Sequence, residues 1–194
     1  MRVAKEVCLG LVSTRMSRIA FHLDYFVYPI IIAACLTLAI RSATLSMVAA
    51  DLMIGLAVWT LAEYLLHRYV LHHWPYFSVA HKAHHDEPRA MIATPTLFTL
   101  LVFVTLAYLP AWAMIDRSTA SAFFSGFLLG YVCFGAVHEA VHHSASQNRV
   151  MRCYKKLHAI HHHGNSTKNF GVITSFWDRV FGTYSDSISK RPNI

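Results

Sequence analysis

Four long apolar runs constrain this chain more than anything else in it. Tyr25 to Ile40 is uncharged and apolar. Leu45 to Leu66 is mostly apolar, with Asp51 near its start and Glu63 near its end, and Thr94 to Ile115 and Thr119 to Val141 complete the set. A helix needs roughly 20 apolar residues to cross a bilayer, so the pattern predicts four transmembrane helices. The first run is short, and Arg41 is expected to snorkel to the interface. The tight connections "RSAT" and "DRS" predict two helical hairpins. Pro95 is expected in the first turn of the third helix, and Pro29 is expected to kink the first. Only 14% of the residues are charged, against about 25% in soluble domains. The fold class expected is therefore all-α integral membrane, one domain over residues 1–194, with a cytoplasmic helical cap.

The net charge is +7, but it does not indicate nucleic acid. The basic residues form no helical stripe, and apolar stretches separate them. Their distribution instead orients the hairpins. Of 17 Lys and Arg, only Arg41 and Arg117 lie in the two tight connections. The rest lie in the N-terminal segment, between Arg68 and Arg89, or after His143. The positive-inside rule places these three regions, and both termini, on the cytoplasmic side. The basic segment 1–20 reads either as a helix on the membrane surface or as a frayed tail. Cys8, Cys35, Cys133 and Cys153 are scattered without a CxxC pair, which argues against a disulfide framework or a cysteine zinc site. No cleavable signal peptide, low-complexity tract or solenoid repeat is evident.

The histidines are not scattered. His67 and His72 (HxxxxH) fall where the second apolar run ends. His81, His84 and His85 form an HxxHH box. His138 and His142 (HxxxH) follow the fourth run, and His158, His161 and His162 form a second HxxHH box. On a helix, residues three and four apart share a face, so HxxHH is expected to aim three imidazoles at one point and HxxxH two. Such spacing is how helices build metal sites, and imidazole suits iron, zinc and copper. Ten histidines exceed the four ligands of one zinc and match two metals with four to six ligands each. A histidine-rich surface or a metal buffer has no reason to repeat helical spacing in this way. His22, the only histidine outside the clusters, reads as an interfacial residue.

"HEAVH", His138 to His142, is also literally HExxH, in which Glu139 would be the general base of a zinc protease. That enzyme needs a third ligand and has no use for eight further clustered histidines. A membrane metal-binding or sensory protein without turnover is a third class compatible with the clusters.

The ordered boxes "HRYVLH", "HKAHH", "HEAVHH" and "HAIHH" resemble those of the integral-membrane fatty acid hydroxylase and sterol desaturase superfamily. The tail "NFGVITSFWDRVFGTY" is especially similar to the ending of fatty acid 2-hydroxylases. The resemblance covers about Glu63 to Tyr184. Bacterial carotenoid ring hydroxylases are similar in length and in the first two boxes, but differ in the third box and the tail. The resemblance implies a non-haem di-iron oxygenase that uses two ferrous ions and O2 to attack a C–H bond of a lipid, a fatty acyl chain first of all. Desaturation begins with the same hydrogen abstraction and is the alternative outcome. No haem-binding segment is evident before the first membrane helix, so electrons are expected from a separate ferredoxin or cytochrome b5 type donor. Zinc can replace iron on overexpression, since it binds imidazole at least as tightly.

The candidate metal ligands are thus His67, His72, His81, His84, His85, His138, His142, His158, His161 and His162. Their assignment to individual metals is not legible. His73, His143 and His163 are either supports for ligands or spare surface imidazoles. Metal-bound imidazoles usually donate their other N–H to a carboxylate or carbonyl. Glu63, Glu139 and Asp178 are candidates for that role, with helix capping or a surface salt bridge as the alternative for each. Gly126 and Gly130 form a GxxxG pattern that predicts close helix packing, with room for a substrate chain as the alternative. Asn169, in "NSTKNFG", reads as a turn residue, with contact to the site through water as the alternative.

Overall fold

The computed structural model describes residues 14–187. These fold into two compact units, one running up to Trp59 and resuming over Ala90–Val132, the other holding Thr60–Arg89 and continuing from Cys133.

In the first unit, strand β1 (Thr14–Arg15) pairs antiparallel with β2 (Ile92–Ala93), Thr14 opposite Ala93. The helix α1 (Arg18–Phe21) follows, its N-terminus capped by the Ser17 hydroxyl, which accepts from the Ala20 amide. Over residues 14–20 the basic segment is therefore a short strand and a single helical turn rather than one surface helix. Residues 1–13 lie outside the described residues. Four helical segments are long and apolar enough to cross a membrane: Arg18–Ile40, Leu45–Leu71, Thr96–Met114 and Arg117–His143. Within them lie α2 (Asp24–Ile40), which contains Pro29, and α3 (Leu45–Leu65), which runs on into a π turn at Leu66–Leu71. The amphipathic α4 (Pro75–Asp86) comes next in the chain.

The third span is α5 (Thr96–Phe103), a π turn at Val104–Tyr108 and α6 (Leu109–Met114). Pro110 explains the interruption, because its ring has no N–H to donate and collides with the carbonyl four residues back in a regular helix. Pro95 differs from expectation by one residue. It stands outside α5 at the N-cap with extended backbone, and its carbonyl accepts from Phe98 and Thr99. The fourth span, α7, is Arg117–His143.

Two features hold the first unit. One is an edge-to-face aromatic cluster in which Trp59 packs on Phe127 at 5.1 Å and Phe103 on Tyr131 at 4.9 Å. Its hydroxyls stay satisfied in an apolar setting: Tyr28 pairs with Thr99 at 2.6 Å and Tyr131 donates to Asp24. The other is close backbone approach. A Cβ on Gly55 would lie 1.9 Å from the Phe123 carbonyl oxygen, and one on Gly126 would lie 1.9 Å from that of Leu52. A Cβ on Gly130 would meet the Trp59 ring. The GxxxG pattern is thus close packing of α7 against α3. Without a hydrophobic effect between helices in lipid, such contact supplies the association.

Gly126→Leu should force these backbones apart and lower the melting midpoint of detergent-purified protein, at a cost of about 1–3 kcal/mol. Leu97→Ala, at a position 77% exposed, should leave the midpoint nearly unchanged.

Candidate metal centre

The second unit carries every clustered histidine. Its elements are the end of α3 with its π turn, α4, the end of α7, then α8 (Arg149–Ala159) continuing into a π turn at Ile160–Gly164, and the short α9 (Phe176–Val180). Pro75 opens α4 at a position where its missing N–H costs nothing. The Asn148 side chain caps α8 by accepting from the Met151 amide at 2.8 Å.

The structure brings the ten candidate ligands into two groups of five. His67, His72, His81, His85 and His161 form one; His84, His138, His142, His158 and His162 form the other, and within each group one nitrogen per ring lies within 4.8 Å of all the rest. This partition differs from the expectation that each HxxHH box serves one point. His81 and His85 of the first box join one group while His84 joins the other. In the second box His161 parts from His158 and His162. His67 and His72, five apart, would stand about 140° apart around an α-helix. The π turn at Leu66–Leu71 brings their rings to 5.3 Å. A spacing of five is the one sequence signal of this turn.

The nitrogen geometry suits metal ions. His81 Nε2 stands 3.0 Å from His67 Nε2, 3.1 Å from His72 Nε2 and 3.0 Å from His85 Nε2. One ring nitrogen carries either one proton or one lone pair and cannot serve three nitrogens by hydrogen bonding. His142 Nε2 is likewise 3.3 Å from His138 Nε2 and 3.0 Å from His158 Nε2. Ligands about 2.1 Å from one ion and at right angles to each other lie about 3.0 Å apart. Buried nitrogens of His84 and His162 have no hydrogen-bond partner among the described residues. Five imidazoles per group and no carboxylate therefore fit two transition-metal ions.

Backbone carbonyls fix two of the tautomers. The Nδ1–H of His161 donates to the Lys168 carbonyl at 2.8 Å, and that of His67 donates to the Phe170 carbonyl. A carbonyl only accepts, so in both rings Nε2 keeps its lone pair for the centre. The loop carrying these carbonyls is itself held by buried acids. Asp178 accepts from the Phe170 and Gly171 amides at 2.8 and 2.9 Å and from the Thr183 hydroxyl at 2.7 Å. Glu63, also buried, accepts from the Val172 and Ile173 amides through Oε1. Both carboxylates thus act one bond further out than the imidazole N–H groups they were expected to meet. Asn169 stands in the left-handed region at φ 54°, just after the turn at residues 166–167, and its amide side chain bonds the Leu157 and Ser185 carbonyls and the Ser185 amide. Glu139 belongs to neither histidine group. His73, His143 and His163 are exposed and also stand outside both groups, as does His22, whose Nδ1 bonds the Arg18 carbonyl.

A cavity of about 400 Å³ reaches His158 from one side, walled by Val141, Val150, Leu157, Val172 and Ile173, with Arg149 also in its lining. The Tyr154 hydroxyl fixes one wall by donating to the Ile173 carbonyl at 2.9 Å.

Fold and site together define a chain with four helices fit to cross a membrane and two five-histidine groups able to hold metal ions. Residues 52–183 match the fatty acid hydroxylase family, and the chain belongs to that family. It is 34% identical over 153 residues to the dihydroceramide fatty acyl 2-hydroxylase FAH1 of Arabidopsis thaliana, covering 72% of this chain and 62% of the relative. With the ceramide very long chain fatty acid hydroxylase SCS7 of Saccharomyces cerevisiae the identity is 40% over 144 residues, covering 68% and 37%. With human fatty acid 2-hydroxylase it is 30% over 144 residues, covering 68% and 38%. The chain thus spans between about a third and two thirds of these relatives' lengths. The solved structure of full-length scs7p, in which only the hydroxylase domain is visible, superposes with a TM-score of 0.79 at 30% identity over 93% of this chain and 72% of that one. The similarity to 2-hydroxylases expected from the tail is therefore found.

Burial and neighbouring imidazoles hold His72 and His85 down at about 4, while burial holds His161 down at about 3 despite its carbonyl bond. These folded-state values lie below the ordinary 6.5. The stability they contribute is thus fully present above about pH 6.5 and is lost as pH falls toward about 4. Metal-free protein should melt at progressively lower temperature from about pH 7.5 to about pH 5, and bound metal should be released over the same window, as followed by scanning fluorimetry and elemental analysis.

Proposed function

We propose that this protein is a membrane-bound non-haem di-iron oxygenase that hydroxylates a C–H bond of a lipid, a fatty acyl chain in the first instance. The observation that carries the reading is the pair of five-imidazole groups in a chain of the fatty acid hydroxylase family. The proposed ligands are His67, His72, His81, His85 and His161 for one iron, and His84, His138, His142, His158 and His162 for the other. Bound iron would supply the reduction of O2 and the removal of hydrogen from carbon, with electrons from a separate ferredoxin or cytochrome b5 type protein. His67 and His161 hold their Nε2 atoms toward the centre through their carbonyl bonds. Glu63 and Asp178 keep that loop in place. The apolar cavity beside His158 is of a size and lining suited to part of a lipid chain. The relatives' names make the 2-position of an acyl chain the first product to seek.

The single most direct experiment is lipid mass spectrometry of cells with and without the protein, searching for a gain of one oxygen, joined to elemental analysis of the purified protein. Two irons per chain are expected from iron-replete cells. His84→Ala and His161→Ala should each abolish the oxidised lipid and lower metal content. Glu139→Gln should retain activity within about 10–100-fold, the range for a residue that only orients a ligand. A dead Glu139→Gln with both histidine variants active would reverse the assignment in favour of a protease.

The charge distribution supports a topology of two hairpins with both termini and the histidine boxes cytoplasmic. Ser42→Cys should be labelled only from the outer side and Ser187→Cys only from the cytoplasmic side. The opposite pattern would overturn the orientation.

A further inference from the structure

The tail after His143 reads from its charge as lying outside the bilayer, yet α9 presents an apolar face without protein cover. Phe176 is 56% exposed, Val180 54% and Phe181 46%. Phe176 and Val180 are four apart and share one side of α9. Its other side is anchored, because Asp178 is fully buried and the Trp177 indole N–H donates to the Thr60 hydroxyl at 3.0 Å. The Phe181 ring, at the C-cap of α9, stacks at 5.2 Å on Tyr64, one turn beyond Thr60 on α3.

The anchor sets a depth. Thr60 lies fifteen residues after Leu45, the first residue of α3, which is a rise of about 22 Å. Tilt only shortens the depth this rise covers. The hydrocarbon core is about 30 Å thick, and Leu45 starts beside the polar connection that holds Arg41. Thr60 therefore stands about 8 Å inside the core boundary nearest the histidines. Interfacial amphipathic segments insert to about 5–10 Å. Leu65 at the end of α3 and Leu66 at the start of its π turn are exposed as well. The flanking cations suit headgroups: the Arg179 guanidinium stacks on the Tyr184 ring at 3.8 Å, and the Lys168 ammonium donates to the Gly182 carbonyl.

We infer that α9 is a membrane foot, with Phe176, Val180 and Phe181 inserted among the lipid acyl chains of the leaflet on the histidine side. The foot also ties the site to the membrane, because Asp178, on the same helix, holds the loop whose carbonyls orient His67 and His161. The inference rests on α3 crossing a bilayer and not on the metal chemistry, so it stands or falls separately from the oxygenase reading.

The test is spin labelling of full-length protein in phosphatidylcholine vesicles. Phe176→Cys and Val180→Cys are made singly in a chain lacking its four native cysteines, with melting in detergent used to confirm the fold. Collision with O2 and with a water-soluble nickel chelate is then measured. Leu97→Cys is the lipid-facing reference, and Lys156→Cys, exposed on α8, is the aqueous one. The O2-to-nickel ratio at 176 and 180 should match the Leu97 reference within about twofold and exceed that at position 156 about tenfold, as for an inserted interfacial helix. A ratio equal to that at position 156 overturns the proposal. A label reached by neither reagent overturns it too, since it would place a second copy of the chain over this face. Should one variant melt early, Phe181→Cys takes its place.

Discussion

Ten neutral imidazoles converging without a single carboxylate among them is the constraint on which this structure depends. Their nitrogens approach to about 3 Å. Protonating one ring sets a charge beside several others in a setting largely closed to water, which is why burial leads the causes that hold these groups below their ordinary range. A cluster of this kind cannot rest on one helix. It takes the ends of α3 and α7, the whole of α4 and the last turn of α8, each delivering two or three rings.

What holds those rings in register is a shell of backbone carbonyls set by two buried acids. Asp178 satisfies three donors and Glu63 two, and all but one of the five are amides of the segment Phe170–Ile173. Losing either carboxylate would leave buried amides without partners, at about 1–3 kcal/mol for each group. The tail resembling 2-hydroxylases is thus structural support for the first histidine group. Asn169 in the left-handed region and Gly171, where a Cβ would lie 2.1 Å from the Thr174 carbonyl oxygen, let the chain make that turn.

The spans and the ten histidines were legible because both follow periodicities that physics imposes directly: bilayer thickness for the apolar runs, and helical spacing for the boxes. The close packing at Gly126 and Gly130 was legible for the same reason. Other features were not. Glu63 and Asp178 bond amides more than a hundred and about eight residues away, and no local pattern announces an acid's distant partner. The place of Pro95 just outside α5 turns on one residue's ψ. The foot at α9 depends on a depth set by Trp177 and Thr60, 117 residues apart.

The partition of the HxxHH boxes was hidden for a more instructive reason. The i, i+3, i+4 spacing keeps three rings on one side of a helix, but one side is not one point. When the helix runs between two centres, i and i+4 turn toward one and i+3 toward the other, as His81 and His85 part from His84. In the second box the division is different, because the π turn beginning at Ile160 shifts the rings that follow it, and His161 alone crosses to the first group. Each box therefore contributes to both groups, so α4 and the end of α8 fix the spacing between the groups as well as the rings within them. A displacement of either helix would disturb both centres together. That coupling explains why the rings are supplied by helices, and why the segment whose carbonyls orient His67 and His161 is fastened by buried carboxylates.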